Sequence, residues 1–441
     1  MKHEQISRSH AFWLGRSHNA VTNSSTLARN TVHMLAGQSA KLVIQAIYFV
    51  LMARNLGPHQ YGAFVAVTAA AAIVSPFVGN GSGILMIKNV ARDRSLFSQY
   101  WGNALLMTFV SGAVLTVGVA AVCTALLPNS IPPVVVIVLV ISDVLVYQFV
   151  EVAAWAFQSV EMLVGTAYLN VFASFTRLGG IAVIVGMHRP TLIAWSVAYL
   201  VTSILCALVG TGCVLWRLGK PRLALFRIRS ELREGFYFSS SSSAQTIYND
   251  IDKTMLARLG SLDATGIYAA AYRLIDVAFI PIRSLLAAAY PGFFRSGNQG
   301  ITSSLAYARR LLPRALAYSA AVAIGLLVAA PLVPRALGAE YARSTEALRW
   351  LALLPLLKTF HSFAADSLTG AGHQGLRTLV QVLVALFNVF VNLWIIPAYS
   401  WRGAAWSSLA SDGLLAASLW CCAVFLRTRQ QALMQPAEVT V

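Results

Sequence analysis

Six cations and seven carboxylates fall inside stretches of this chain that are otherwise apolar enough for lipid: Lys41, Arg177, Lys253, Arg273, Arg283 and Lys358, with Asp143, Glu151, Asp250, Asp252, Asp276, Asp366 and Asp412. Facing hydrocarbon, each would cost roughly 2.5 to 3.5 kcal/mol on insertion scales. Such groups must face one another or water. Cations gathered in a water-filled cleft can hold an anion such as a phosphate, and carboxylates there can carry a proton or a small cation.

The densest pattern is Ala271-Tyr272-Arg273-Leu274-Ile275-Asp276, followed by Ile280-Pro281-Ile282-Arg283. On a helix Asp276 and Arg283 share a face, and Arg273 lies on its neighbouring edge. Pro281 removes a backbone hydrogen bond between them and predicts a kink. Two readings stand here: a neutralised Arg-Asp pair that locks helices together, or a surplus cation open to an anionic ligand. Lys41, with Gln38 and Gln45 at helical spacing, predicts a polar stripe facing a cavity. Lys253 follows Tyr248, Asn249, Asp250 and Asp252 near a segment end, where snorkelling also accounts for it. Asp143, Tyr147 and Glu151 recur every fourth residue, a stripe suited to a proton or cation. Lys358, His361 and Ser362 share a face with Asp366 further round, and Arg177 has no partner in its own helix. Gln381, Asn388 and Asn392 read as helix-to-helix hydrogen-bonding groups.

The elements that must position these side chains are membrane helices. With 57% hydrophobic and 11% charged residues and a mean hydropathy of +0.67, the chain is too apolar for a soluble domain. Stretches long enough to cross a bilayer lie near residues 31–53, 61–87, 101–127, 131–157, 163–187 and 191–216. A second set lies near 234–256, 266–290, 311–336, 347–371, 377–397 and 403–426. The sets read as copies: Ala53-Arg54 leads to Gly62-Ala63-Phe64 as Ala257-Arg258 leads to Gly266-Ile267-Tyr268. The expected fold is all-α and polytopic, about twelve transmembrane helices in two six-helix bundles around a central cleft.

Lys and Arg cluster before the first segment, after the second and after the sixth, about twenty on one side against roughly six opposite, which places both termini in the cytoplasm. The net charge of +17 is thus a topology signal, and no nucleic-acid partner is expected. The organisation expected is a basic tail over residues 1–30, bundles over 31–216 and 234–426, a basic linker over 217–233 and a tail over 427–441. Five cysteines show no metal spacing, and neither a metal nor a cofactor is expected.

Three stretches resemble the polysaccharide flippases of the multidrug/oligosaccharidyl-lipid/polysaccharide exporter (MOP) superfamily. They are Leu51-Met52-Ala53-Arg54-Asn55-Leu56-Gly57-Pro58-His59-Gln60-Tyr61-Gly62, Tyr248 to Lys253 leading through Gly266-Ile267-Tyr268 to Arg273, and Gly370-Ala371-Gly372-His373-Gln374 with Asn388 to Asn392 and Ile396-Pro397. The resemblance covers residues 27 to 427. It implies two V-shaped bundles that alternate between inward and outward openings. The cargo it implies is an undecaprenyl-diphosphate-linked oligosaccharide, moved from the cytoplasmic to the outer face of the bacterial inner membrane. The helix holding Arg273 and Pro281 is similar to one in the lipid II flippases, which have two additional crossings; that difference favours a glycan cargo over a peptidoglycan precursor.

Residues and resemblance together nominate Arg273, Lys41, Arg283, Arg177 and Lys358 for a cationic cavity that takes the diphosphate. Asp276, Asp252, Asp143 and Asp366 are the candidates for coupling to H+ or Na+, and polysaccharide polymerase or export machinery is a candidate partner. A multidrug cation antiporter is the rival within the superfamily, but Lys41 would repel its cargo and segments one and two hold no acid. A membrane glycosyltransferase or polymerase is the rival from another class. The short outer connections, about five to twelve residues, leave little room for its catalytic loop.

Overall fold

A computed structural model describes the backbone of residues 24–186 and 191–434, with side chains from Val43 to Ala432 except at six positions between 227 and 241. Most of the expected N-terminal tail and part of the C-terminal one lie outside the described residues. Among the described residues all regular structure is helical, and its longer helices group into twelve, α1 to α12.

The first two, α1 (24–56) and α2 (58–90), form one run broken at Gly57, whose φ of 67° and ψ of 171° suit a residue without a Cβ. Then come α3 (Phe97–Leu126), α4 (Pro133–Ser159), α5 (Leu163–Gly186) and α6 (Leu192–Leu218). The second copy holds α7 (Leu225–Leu259) and α8 (Leu262–Ala278, continued by Ile280–Gly297 after a 44° bend). It goes on through α9 (Ile301–Ala329) and α10 (Ala342–Leu351 and Leu354–Gly370). The last two, α11 (374–399) and α12 (401–434), form one run broken at Ser400. The bend of α8 falls at Pro281, as the sequence predicts.

Seven continuous runs are long and apolar enough to span a bilayer, two of them made of two helices each, and bent α8 makes an eighth. Helix α7 falls short because its serines, Asp250, Asp252 and Lys253 make it polar, and α10 because it is split into two short pieces. Helices α1, α7 and α12 run beyond the apolar stretches read from the sequence, since a helix does not stop where hydrocarbon stops.

Packing differs between the two ends of the molecule. At the end holding Gly57, one apolar core runs through both bundles, from Phe49, Leu56 and Tyr61 to Tyr268, Tyr272, Tyr341 and Trp401. At the other end, where the linker lies, the cores are separate. Met86, Trp101, Phe157 and Val214 belong to the first bundle, while Leu305, Leu368 and Leu419, and Phe293 and Phe363, form two clusters in the second. The bundles are thus joined at one end and separately packed at the other. Tyr341 Oη, just before α10, donates to Ala53 O at 3.1 Å and Ser344 Oγ, in its first turn, to Ile267 O at 3.1 Å, so the start of α10 ties the joined end across both bundles.

Candidate functional site

Helix α8 carries two exposed arginines, Arg273 and Arg283. It starts at Ser261, whose hydroxyl accepts from Ala264 N at 3.1 Å as an N-cap. Its first half buries Ala264, Ile267, Tyr268, Ala271, Tyr272 and Ile275 and leaves Arg273 exposed. The Arg273 charge is within electrostatic reach of Tyr48 of α1 and Tyr61 of α2. Beyond the bend, Arg283 Nη2 donates to Asp276 O at 2.9 Å and to Asp276 Oδ1 at 3.4 Å. Arg283 is thereby partly committed to Asp276. Arg273 has no ion-pair partner among the described residues, whereas Arg283 has Asp276.

In the first bundle, Arg177 of α5 finds the partners its own helix lacks. Its guanidinium lies 4.4 Å from the Tyr147 ring of α4 and 4.6 Å from the Tyr199 ring of α6. Tyr199 Oη donates to Asp143 Oδ1 at 2.8 Å. Asp143 sits where α4 loosens into a π-helical turn, Ile141–Val146, a distortion that recurs at functional sites. Arg177 Nη2 is buried without a hydrogen-bond partner and lines a small cavity with Tyr48, Trp195, Tyr199 and Thr202.

A third grouping fills the second bundle. Lys253 pairs with Asp250, and its ammonium lies 4.5 Å from the Tyr272 ring. Lys358 lies 4.7 Å from the same ring and donates to Tyr272 Oη at 2.7 Å. Asp252 accepts from Tyr268 Oη and, at 3.3 Å, from Ser408 Oγ. Asp412 accepts from Tyr248 Oη, and His361 Nε2 stands 3.2 Å from it, within ion-pair distance but not aimed for a hydrogen bond. Asp366 lies apart, 3.4 Å from Arg377 near the linker end. Among the described residues no three His, Cys, Asp or Glu side chains have the arrangement of a metal site.

The five nominated cations therefore do not all stand together. Arg273 and Arg283 are both exposed on α8, one on either side of its bend, Arg177 sits inside the first bundle, and Lys358 is buried inside the second at 8% exposure. Lys41 lies outside the residues whose side chains are described. Sequence reasoning names Tyr147 and Tyr248 as neighbours of the charges but gives none of the tyrosines a role of its own. Tyr147 and Tyr248 each stand four residues from a buried acid, Asp143 and Asp252, and Tyr272 is four from Tyr268; that recurring spacing was the available signal. Asp412 was noted only as a charge in a crossing, and its hydrogen-bond partners come from other helices. Asn388, Asn392, Ser407 and Ser411 do form the chain of hydrogen bonds expected between α11 and α12.

The family model described as "Polysaccharide biosynthesis protein" matches residues 27–296, more than half of the chain. The chain belongs to this family. It is also 23% identical over 282 residues to a protein of Escherichia coli (strain K12) named as an O-antigen transporter. That match covers 61% of this chain and 65% of the relative, slightly under two thirds of its length. Among solved structures, an inward-facing multidrug resistance MATE family transporter of the MOP superfamily has a TM-score of 0.75 at 14% identity. The alignment covers 92% of this chain and 99% of that one. A MOP superfamily transporter from Pyrococcus furiosus Vc1 (DSM3638) has a TM-score of 0.64 at 16% identity, covering 92% and 96% of the two chains. This polysaccharide biosynthesis family member therefore has the two-bundle MOP fold.

Proposed function

We propose that the protein is a transporter, not an enzyme, and that it flips an undecaprenyl-diphosphate-linked oligosaccharide from the cytoplasmic to the outer face of the inner membrane. The observation that carries the reading is Arg273: an exposed cation without an ion-pair partner among the described residues, just before the bend of α8. A diphosphate cannot cross hydrocarbon as an ion. A guanidinium offers it paired hydrogen bonds in a setting less polar than water, while the prenyl tail stays in lipid. A cationic drug would be repelled at this position, which disfavours the antiporter reading. With both termini and the linker in the cytoplasm, the linker end is the side on which the cargo enters. The joined end must then separate for the cargo to leave.

Coupling to H+ or Na+ would give the movement direction, at about 2.3 kcal/mol for each charge moved through 100 mV. Asp276 and Asp366 each face an arginine within 3.4 Å. Asp143 and Asp252 are held by hydroxyl donors, an arrangement that suits an acid which gains and loses a small ion. Export of the glycan in a deletion strain that carries the Arg273→Ala variant tests the reading. Accumulation of the lipid-linked oligosaccharide on the cytoplasmic leaflet is expected, and normal export would refute it.

A further inference from the structure

The connection between the bundles is fixed in place. Residues 219–224 carry no regular secondary structure, and Arg222 N donates to Ser98 O at 2.8 Å. Fully buried Asn103 of α3 grips Ala224 from both sides: its Nδ2 donates to Ala224 O at 3.1 Å and its Oδ1 accepts from Ala224 N at 2.9 Å. The same amide donates to buried Glu231 at 3.2 Å, which ties the start of α7 to α3. With Ala224 held inward, the side chains before and after it point out. Leu223 is 61% exposed, Leu225 63% and Phe226 79%, and Trp216 at the end of α6 is 81% exposed. Between and beside them Arg217, Lys220 and Arg222 are exposed as well.

Large apolar side chains held rigidly outward forfeit about 25 cal/mol for each Å² left in water. An apolar surface threaded with cations suits the boundary between headgroups and acyl chains at an anionic leaflet. We propose that this collar docks anionic glycerophospholipid headgroups, with Arg217, Lys220 and Arg222 on their phosphates and Trp216, Leu223, Leu225 and Phe226 in the apolar layer below. A second copy of the chain is a poor occupant, since it would set the same cations against each other. The proposal rests on the cytoplasmic placement of the linker.

Native mass spectrometry of the full chain, released from nanodiscs of equal phosphatidylglycerol and phosphatidylcholine, tests it. Preferential retention of phosphatidylglycerol is expected. The triple variant Arg217→Gln, Lys220→Gln, Arg222→Gln should lose at least the roughly fivefold that one basic residue contributes at an anionic surface, with an unchanged melting temperature. Phe226→Ser should weaken retention of both lipids. Equal retention of the two lipids, or retention indifferent to the triple variant, overturns the docking. So does a shift between monomer and dimer in that variant, which would make a second copy the occupant. Lys220→Cys in a cysteine-free background separates this outcome from the topology reading. An impermeant maleimide should label it only after permeabilisation, and labelling of intact cells would overturn the cytoplasmic placement.

Discussion

Gly62 of α2 and Gly266 of α8 press against each other's helices at the joined end of the molecule. A methyl group on Gly62 would lie 1.9 Å from Leu262 O, and one on Gly266 would lie 2.0 Å from Pro58 O. The four positions form two repeat pairs, Pro58 with Leu262 and Gly62 with Gly266, so the contact is the same seen from either copy. His59 and Asp263, themselves 204 residues apart, meet across it at 3.0 Å. The sequence repeat is thus a spatial axis, and the axis is where the bundles must part.

Gly62→Val should pry this end open. Overpacking costs about 1–3 kcal/mol where neighbours cannot move, and the atom in the way is backbone. Oxidative cross-linking of paired His59→Cys and Asp263→Cys variants reads the contact. It should form readily with Gly62 in place and fall at least fivefold in Gly62→Val. Removing the ion pair alone with His59→Ala should matter little, within the ~1 kcal/mol of an exposed pair, because both side chains are more than half exposed.

Much of this architecture is legible in the sequence for a physical reason. Lipid imposes a length on each crossing, and duplication imposes a repeat, so Ala53-Arg54 and Ala257-Arg258 announce the two bundles and Pro281 the bend. Contacts between crossings are a different matter. Nothing in the order of residues says that Tyr147 and Tyr199 enclose Arg177, or that Tyr272 lies between two lysines, because those neighbours are set by helix packing. The π-helical turn that carries Asp143 also shifts the register of α4, so four-residue spacing across it no longer marks a single face.

Arg177 and Asp143 should prove interdependent. Both act on Tyr199, Arg177 over its ring and Asp143 on its hydroxyl, so the loss of one changes what the other is held by. Arg177→Met and Asp143→Asn should each lower the melting temperature in detergent. The double variant should be less damaged than the sum of the two, and additive losses would show that the two groups act separately.

Coupling should follow Asp252 and not Asp276. Asp252→Asn should abolish the response of transport to an imposed pH or sodium gradient while leaving downhill movement of cargo. Asp276→Asn, which only frees Arg283, should keep that response. Initial rates in proteoliposomes with and without the gradient distinguish the two, and a gradient response retained by Asp252→Asn would exclude that acid.

The central claim is that Arg273 holds the diphosphate in the cleft. Transbilayer movement of undecaprenyl-diphosphate-linked oligosaccharide in proteoliposomes measures it directly. Arg273→Ala should slow movement at least tenfold, since a hydrogen bond to a charged group is worth about 1.5–3 kcal/mol, and Arg273→Lys should fall between. A full rate from a folded Arg273→Ala protein would contradict the account.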